Sequence, residues 1–195
     1  MALIYRYGQR RKWKALILLL LALALPLAKT NWAKSGWSGQ ALVHQPGFYS
    51  VAHFVDGDTI AVNMNGQMEK VRLIGVDTPE THKPNTPVQC YGPAAAAFTK
   101  NTIGRSPVRL VADPLSTDRD RYDRLLRYVY LPDGTDLNEK LIQNGYGFYY
   151  PYFPFTKSEQ FAAAQKSAQA GNRGLWANCS PTPTDGGGYI SNPTT

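Results

Sequence analysis

A chain of 195 residues with a formal charge of +7 and two cysteines is long enough for one domain with a real core, plus tails. Five of its 21 basic residues (Arg6, Arg10, Arg11, Lys12 and Lys14) precede one apolar run, leaving 16 bases against 14 acids elsewhere. The remainder is nearly neutral, so net charge alone is poor evidence for a polyanionic partner, and two cysteines without a nearby histidine pair argue against a four-ligand zinc site.

Residues 15–28 are uninterrupted apolar. As a helix they would reach about 21 Å, short of a hydrocarbon core of about 30 Å. A basic stretch followed by such a run is the pattern of a secretory signal. The alternative is an uncleaved N-terminal membrane anchor at residues 1–28. Either way the expectation is export: secreted or periplasmic after cleavage, or held on the outer face of the cell membrane through residues 15–28. Residues 29–46 carry Gly, Ser, Gln and scattered Trp without periodicity and read as a linker.

The folded domain is expected over 47–179. Phe48, Tyr49, Val51 and Phe54 predict a first strand between Gly47 and Val55. Asn65-Gly66 between alternating runs predicts a hairpin over 58–76, because both central residues of a type I′ turn need positive φ. Its register sets Met64 against Gln67, Thr59 against Arg72 and Asp58 against Leu73. Residues 81–90 hold two prolines and no pattern, hence a loop. Gly92-Pro93 opens a helix that runs to Gly104. Residues 107–112 predict a fourth strand and 128–131 a fifth, ended by the Pro132-Asp-Gly134 turn. Asp136 with Glu139 is a capping-box spacing before a helix that stops at Gly145, and Thr156 with Glu159 repeats it before a helix ending near Gly171. The tail 180–195 has nothing to bury and is expected to be disordered.

Three strands, a helix, two strands and two helices match an α+β fold: a five-stranded, OB-fold-like barrel with three helices. Cys90 and Cys179 suit an exported chain. A disulfide between them would close a long loop and contribute on the order of 4 kcal/mol in the chain-entropy account; two buried free thiols are the alternative.

The hairpin brings Asp58, Asp77 and Glu80 towards one end, with Arg72 close behind. Carboxylates so gathered need a compensating cation at neutral pH. An all-oxygen set with flexible coordination favours Ca²⁺ over Zn²⁺, with Mg²⁺ also compatible. Arg72 and Asp77 are an odd number of residues apart, so a regular strand would aim them at opposite faces. Their convergence requires a break near Gly75. In the run Asp118-Arg-Asp-Arg-Tyr-Asp-Arg124, Arg119 and Arg121 read as a solvated mixed-charge loop, whereas Arg124 begins a strand and can be aimed. Arg72 and Arg124 together would hold a phosphate and stabilise a pentacoordinate transition state. The aromatic run from Tyr146 to Phe155 is mostly packing, with one or two rings available to stack on bases.

Between about residues 48 and 178 the chain resembles the staphylococcal nuclease family. The matching motifs are Val55-Asp-Gly-Asp-Thr, Arg72-Leu-Ile-Gly-Val-Asp-Thr-Pro-Glu80, Tyr91-Gly-Pro, Phe98-Thr-Lys, Asp120-Arg-Tyr-Asp-Arg124 and Asn138-Glu through Gln143-Asn-Gly145. The resemblance implies Ca²⁺ between Asp58 and Asp77, helped by the Thr78 carbonyl, with Glu80 as general base and Arg72 and Arg124 as the phosphate clamp. It places Tyr122 and Tyr150 at the terminal phosphate and base. It implies a monomer that hydrolyses DNA and RNA, preferring single-stranded or breathing duplex, and leaves 3′-phosphate ends. Asp123 stands where the family commonly has glycine, and the lysine-rich loop after the glutamate is reduced to Lys83. The rival is an idle OB-fold that binds single strands or a protein partner; such copies usually lose the arginines or the glutamate, and this chain keeps all three.

Overall fold

The computed structural model describes residues 47–82 and 86–194. The signal or anchor expected at 1–28 and the linker at 29–46 lie outside the described residues. Among the described residues no helix is long and apolar enough to cross a membrane.

Strands β1 (Phe48–Phe54), β2 (Thr59–Met64) and β3 (Gln67–Leu73) form an antiparallel meander. Asn65 and Gly66 have φ of 54° and 90°, as a type I′ turn requires. The expected register follows, with Met64 opposite Gln67 and Thr59 opposite Arg72. The Leu73 N–H also donates to the Asp58 carbonyl at 2.9 Å.

The break expected at Gly75 is present. β3 ends at Leu73, Gly75 has φ of 72°, and Val76–Asp77 form a short β4 that leaves the barrel. It pairs instead with β7 (Phe148–Tyr149). Glycine is needed here twice over, since a Cβ would also lie 2.5 Å from the Phe155 ring.

Helix α1 (Gly92–Ile103) follows, with Pro93 in its first turn. Then come β5 (Val108–Val111) and β6 (Leu125–Tyr130), the latter starting three residues before the expected Tyr128. The closed barrel runs β1-β2-β3-β6-β5. β1 closes it by pairing with both β2 and β5, and its register shifts between Val51 and His53; such a bulge bends one strand to serve two neighbours. β3 and β6 pair in parallel, with Val71 opposite Leu125. This is the OB-fold-like α+β architecture that the element order predicted.

Helix α2 (Leu137–Gln143) starts where expected, the Asp136 carboxylate accepting from the Asn138 and Glu139 N–H groups. Its Leu137, Leu141 and Ile142 are fully buried over the barrel, each contributing about 1.5–3 kcal/mol of apolar burial. Helix α3 (Ser158–Ala170) starts two residues beyond Thr156, and no side chain caps it. Thr156 donates instead, through its N–H (2.8 Å) and hydroxyl, to Asp113, which removes it from the capping role its spacing suggested. A fourth, short helix, α4 (Leu175–Asn178), adds to the three that the sequence predicts.

The tail differs most from expectation. Residues 182–183 and 189–190 pair as a small hairpin, β8 with β9. Cys90 and Cys179 are joined by a disulfide. Tyr189 packs on Phe148 and edge-on against Trp176, at 6.0 and 5.0 Å between ring centroids. The Cys90 N–H donates to the Asn192 carbonyl at 2.7 Å. One ring, one covalent tether and a short backbone ladder order a stretch whose polar composition suggested none.

Two buried polar side chains lock the barrel. Asn138 donates to the Ile74 and Arg127 carbonyls at 2.9 and 3.1 Å and accepts from the Val129 N–H at 3.0 Å. Asp113 accepts from the Tyr128 hydroxyl at 2.6 Å, from both donors of Thr156, and from the Leu115 N–H. Burial pushes the Asp113 carboxyl up, but those hydrogen bonds outweigh it and hold the group below its ordinary value of 3.8.

Asn138→Ala should lower stability by about 3 kcal/mol, because three buried main-chain groups lose a partner at about 1–3 kcal/mol each, partly resolvated. Urea denaturation should show a lower midpoint with an unchanged slope. A depressed carboxyl contributes stability that is complete above the unfolded value and lost as pH falls through the folded one. Asp113→Asn should therefore be less stable than wild type at pH 6, and the difference should shrink below about pH 3.8.

Candidate active site

The parallel pairing of β3 with β6 sets Arg72 opposite Leu126. Arg124 lies two positions before Leu126, so strand periodicity puts all three on one face. Val71 and Leu125, one step out of phase, are buried in the core. The two arginines therefore stand together on the outer wall of the barrel.

Arg72 is nearly buried and spans the Gly75 break. Its Nη1 donates to the Leu73 and Val76 carbonyls at 2.9 and 2.5 Å. Its Nη2 lies 2.8 Å from Asp77 Oδ1 and 3.2 Å from Asp58 Oδ2. Burial alone would lower its pKa, but Asp58 and Asp77 more than offset this and the guanidinium stays charged.

Asp58 is buried and ties the two ends of the hairpin together. Its Oδ2 accepts from the Thr78 N–H at 2.8 Å and the Thr78 hydroxyl at 3.1 Å, while Oδ1 accepts from the Thr59 hydroxyl at 3.0 Å. Thr59 Oγ1 in turn accepts from Arg124 Nη1 at 3.4 Å. The residues form one chain: Arg124, Thr59, Asp58, then Arg72 and Thr78, then Asp77.

Arg124 is aimed by Asp120, whose Oδ2 accepts from Nε and Nη2, each at 2.7 Å. Asp120 Oδ1 also accepts from the Tyr122 and Arg124 N–H groups at 2.9 and 3.0 Å, which shapes the turn. Tyr122 lies exposed under Arg121 and Arg124, its ring centroid 4.9 and 5.4 Å from their guanidinium carbons. Tyr150 faces Arg72 at 5.9 Å and is fixed by its N–H to the Gly75 carbonyl at 2.9 Å. Arg72, Arg124, Tyr122 and Tyr150 line one groove of about 590 Å³, which continues past Leu115 to Phe153.

Of the three acids expected to converge, two do so. Asp58 and Asp77 share the Arg72 nitrogen, and among the described residues no three acidic or metal-binding side chains form a ligand cluster. Glu80 follows three residues later, its N–H donating to the Gln89 side-chain carbonyl at 2.8 Å. Its carboxylate makes no hydrogen bond or ion pair with a described residue. His82 is exposed and bonded to Thr81 at 2.7 Å.

The two convergent carboxylates pass a simple test of fit for a hard cation. Oxygens from both already lie within 3.2 Å of one positive nitrogen, and Thr78 offers its main chain beside them. Two carboxylates completed by carbonyl and water oxygens suit Ca²⁺ or Mg²⁺ rather than a softer metal.

Two residues of this neighbourhood, Asp56 and Asp120, have no role that the sequence points to, and a third, Arg119, differs from its expectation. Asp56 sits against Asp58, its Oδ1 accepting the Asp58 N–H at 3.2 Å; burial, and then the Asp58 charge, push its carboxyl up to about 7. Asp120 was legible only as an acid four residues before Arg124. Arg119 is not a solvated charge but an ion pair with Glu69 of β3 at 3.0 Å, tying the 118–124 loop to the barrel. Asp123 has φ of 62°, a left-handed conformation in which glycine is least strained, and its exposed carboxylate pairs with Arg119 at 3.5 Å, away from Arg124.

Residues 70–178 match the family described as Staphylococcal nuclease homologue. The chain is 45% identical over 134 residues to the thermonuclease of Staphylococcus hyicus, covering 67% of this chain and 76% of that one. It is 46% identical over 129 residues to the thermonuclease of Staphylococcus intermedius, covering 66% and 75%. The endonuclease YncB of Bacillus subtilis (strain 168) is 38% identical over 140 residues, covering 71% of this chain and 62% of that one. Barrel, motif order and these similarities agree: the chain belongs to the staphylococcal nuclease family.

Proposed function

We propose that this nuclease is a calcium-dependent, exported endonuclease that hydrolyses phosphodiester bonds of DNA and RNA and leaves 3′-phosphate ends. The observation that carries the reading is the paired guanidinium groups, Arg72 held by Asp58 and Asp77 and Arg124 held by Asp120, on one wall of one groove. Oriented arginines of this kind bind a phosphate bidentately and neutralise charge that grows in the transition state. The exposed Tyr122 and Phe153 rings that line the groove suit unpaired bases, which supports a preference for single-stranded or breathing duplex.

In this mechanism Asp58, Asp77 and the Thr78 carbonyl would hold Ca²⁺. A bound Ca²⁺ supplies positive charge beside the phosphoryl oxygens. Arg72 and Arg124 grip the scissile phosphate and orient it for in-line attack by water. Glu80 accepts the proton from that water. The bond from phosphorus to the 5′-oxygen breaks, so the phosphate stays on the 3′ side, and Arg124 supports the departing 5′-oxygen. Tyr122 contacts the terminal phosphate and Tyr150 the base. The basic stretch and apolar run at 6–28 support export, as does the Cys90–Cys179 bond, which persists in oxidising compartments. Residues 15–28 remain a membrane contact if they are not cleaved, and the enzyme acts as a monomer.

Digestion of plasmid and RNA should proceed with Ca²⁺ and stop with chelator. Glu80→Gln should lower kcat by about 10² or more, and Arg124→Ala by about 10² to 10³. Undiminished cleavage by both variants would sink the mechanism. A wild-type protein that binds oligonucleotides without cutting them would favour the idle binding module. N-terminal sequencing of the exported protein decides between a cleaved signal and an anchor.

A further inference from the structure

Glu80 is anchored by its backbone. Its N–H donates to the Gln89 side-chain Oε1 at 2.8 Å, and its carbonyl accepts from the Gln89 N–H at 2.9 Å. Both main-chain groups of Glu80 are thus tied to one residue, which is buried. Its carboxylate takes no hydrogen bond or ion pair from any described residue, so this anchoring sets the point from which the side chain reaches out.

Gln89 is itself held from the far end of the chain. On one side, the Thr194 N–H and hydroxyl both donate to the Val88 carbonyl at 2.9 Å. On the other, the Cys90 N–H donates to Asn192, and the Ser191 hydroxyl donates to the Cys90 carbonyl at 2.9 Å. Gln89 pairs with Pro193 as an antiparallel bridge. The Cys90–Cys179 bond fastens the same point covalently. From the inner side, the first residue of α1 packs directly on this backbone: a Cβ at Gly92 would lie 3.0 Å from the Pro79 and Glu80 carbonyl oxygens. The stretch from Pro79 to Glu80 is held between α1 and Gln89, and Gln89 is held by residues 191–194.

We propose that Gln89 is a positioning residue for Glu80, and that the C-terminal segment 180–194 with the Cys90–Cys179 bond is the brace that keeps Gln89 in place. The inference rests on Glu80 being the general base. A base displaced by about 1 Å from its water costs up to about a hundredfold in rate without weakening substrate binding. The brace therefore acts on turnover alone, whereas Arg72 and Arg124 bind the phosphate and act on turnover as well.

The test is steady-state cleavage of a short single-stranded oligonucleotide by the full chain, below the thermal transition of every variant. Gln89→Leu should lower kcat by about tenfold to a hundredfold and leave KM within about twofold. Gln89→Glu, which keeps an acceptor oxygen for the Glu80 N–H, should recover most of that loss. Hydrogen exchange at the Glu80 amide should quicken in Gln89→Leu and not in Gln89→Glu. Cys90→Ser with Cys179→Ser should shift kcat in the same direction by less, again without moving KM. The proposal is overturned if Gln89→Leu keeps wild-type kcat while Glu80→Gln loses it. It is equally overturned if Gln89→Leu and Gln89→Glu are impaired alike, because the acceptor oxygen is then not the cause. Full activity of Glu80→Gln removes the general-base reading, and this proposal with it.

Discussion

Everything in the site depends on β3 leaving the barrel after Leu73. Continued in register, that strand would carry Asp77 to the face opposite Arg72, and no pair of carboxylates would form. Two side chains hold the departure. Asn138 takes the Ile74 carbonyl that the strand ladder gives up, and Arg72 takes those of Leu73 and Val76 on either side of the turn. Buried main-chain oxygens need such partners. Arg72 thus bonds the very bend that brings Asp77 back to it, and its removal would disturb geometry as well as charge.

The electrostatics repeat one arrangement. Each arginine is set by an acid on its own side of the site: Arg72 by Asp58 and Asp77, Arg124 by Asp120. Burying unpaired charge is costly, so these pairs are what allow the groups to sit at the edge of the core at all. Each guanidinium is thereby restricted to a narrow range of directions before any phosphate arrives. Thr59 joins the two halves, donating to Asp58 and accepting from Arg124.

What could be read from the sequence was what is local. The Asn65-Gly66 turn fixed the pairing of Thr59 with Arg72, and parity then demanded the break at Gly75; both follow from spacing along one segment. The roles of Asn138 and Gln89 are not legible because their partners, Ile74 and Glu80, are distant in sequence or reached across a loop of no pattern. The spacing of Thr156 and Glu159 suits a cap, yet Asp113, which takes the Thr156 donors, lies 43 positions away. The tail was read from composition, and composition does not show that Tyr189 finds Phe148 and Trp176. The placement of the hairpin's own side chains is therefore legible, while the groups that steady them are not.

The parallel join of β3 to β6 also orders events in time. The hairpin that carries Arg72, Asp58 and Asp77 needs only neighbours in sequence, so it is the kind of unit that forms early. Its meeting with Leu125 and the strand after it requires closing a long loop, an entropic cost met only when much of the barrel assembles together. Arg124 comes into place with that closure. The two guanidinium groups are therefore apart for as long as the chain is unfolded, and the groove they line exists only once the barrel has closed.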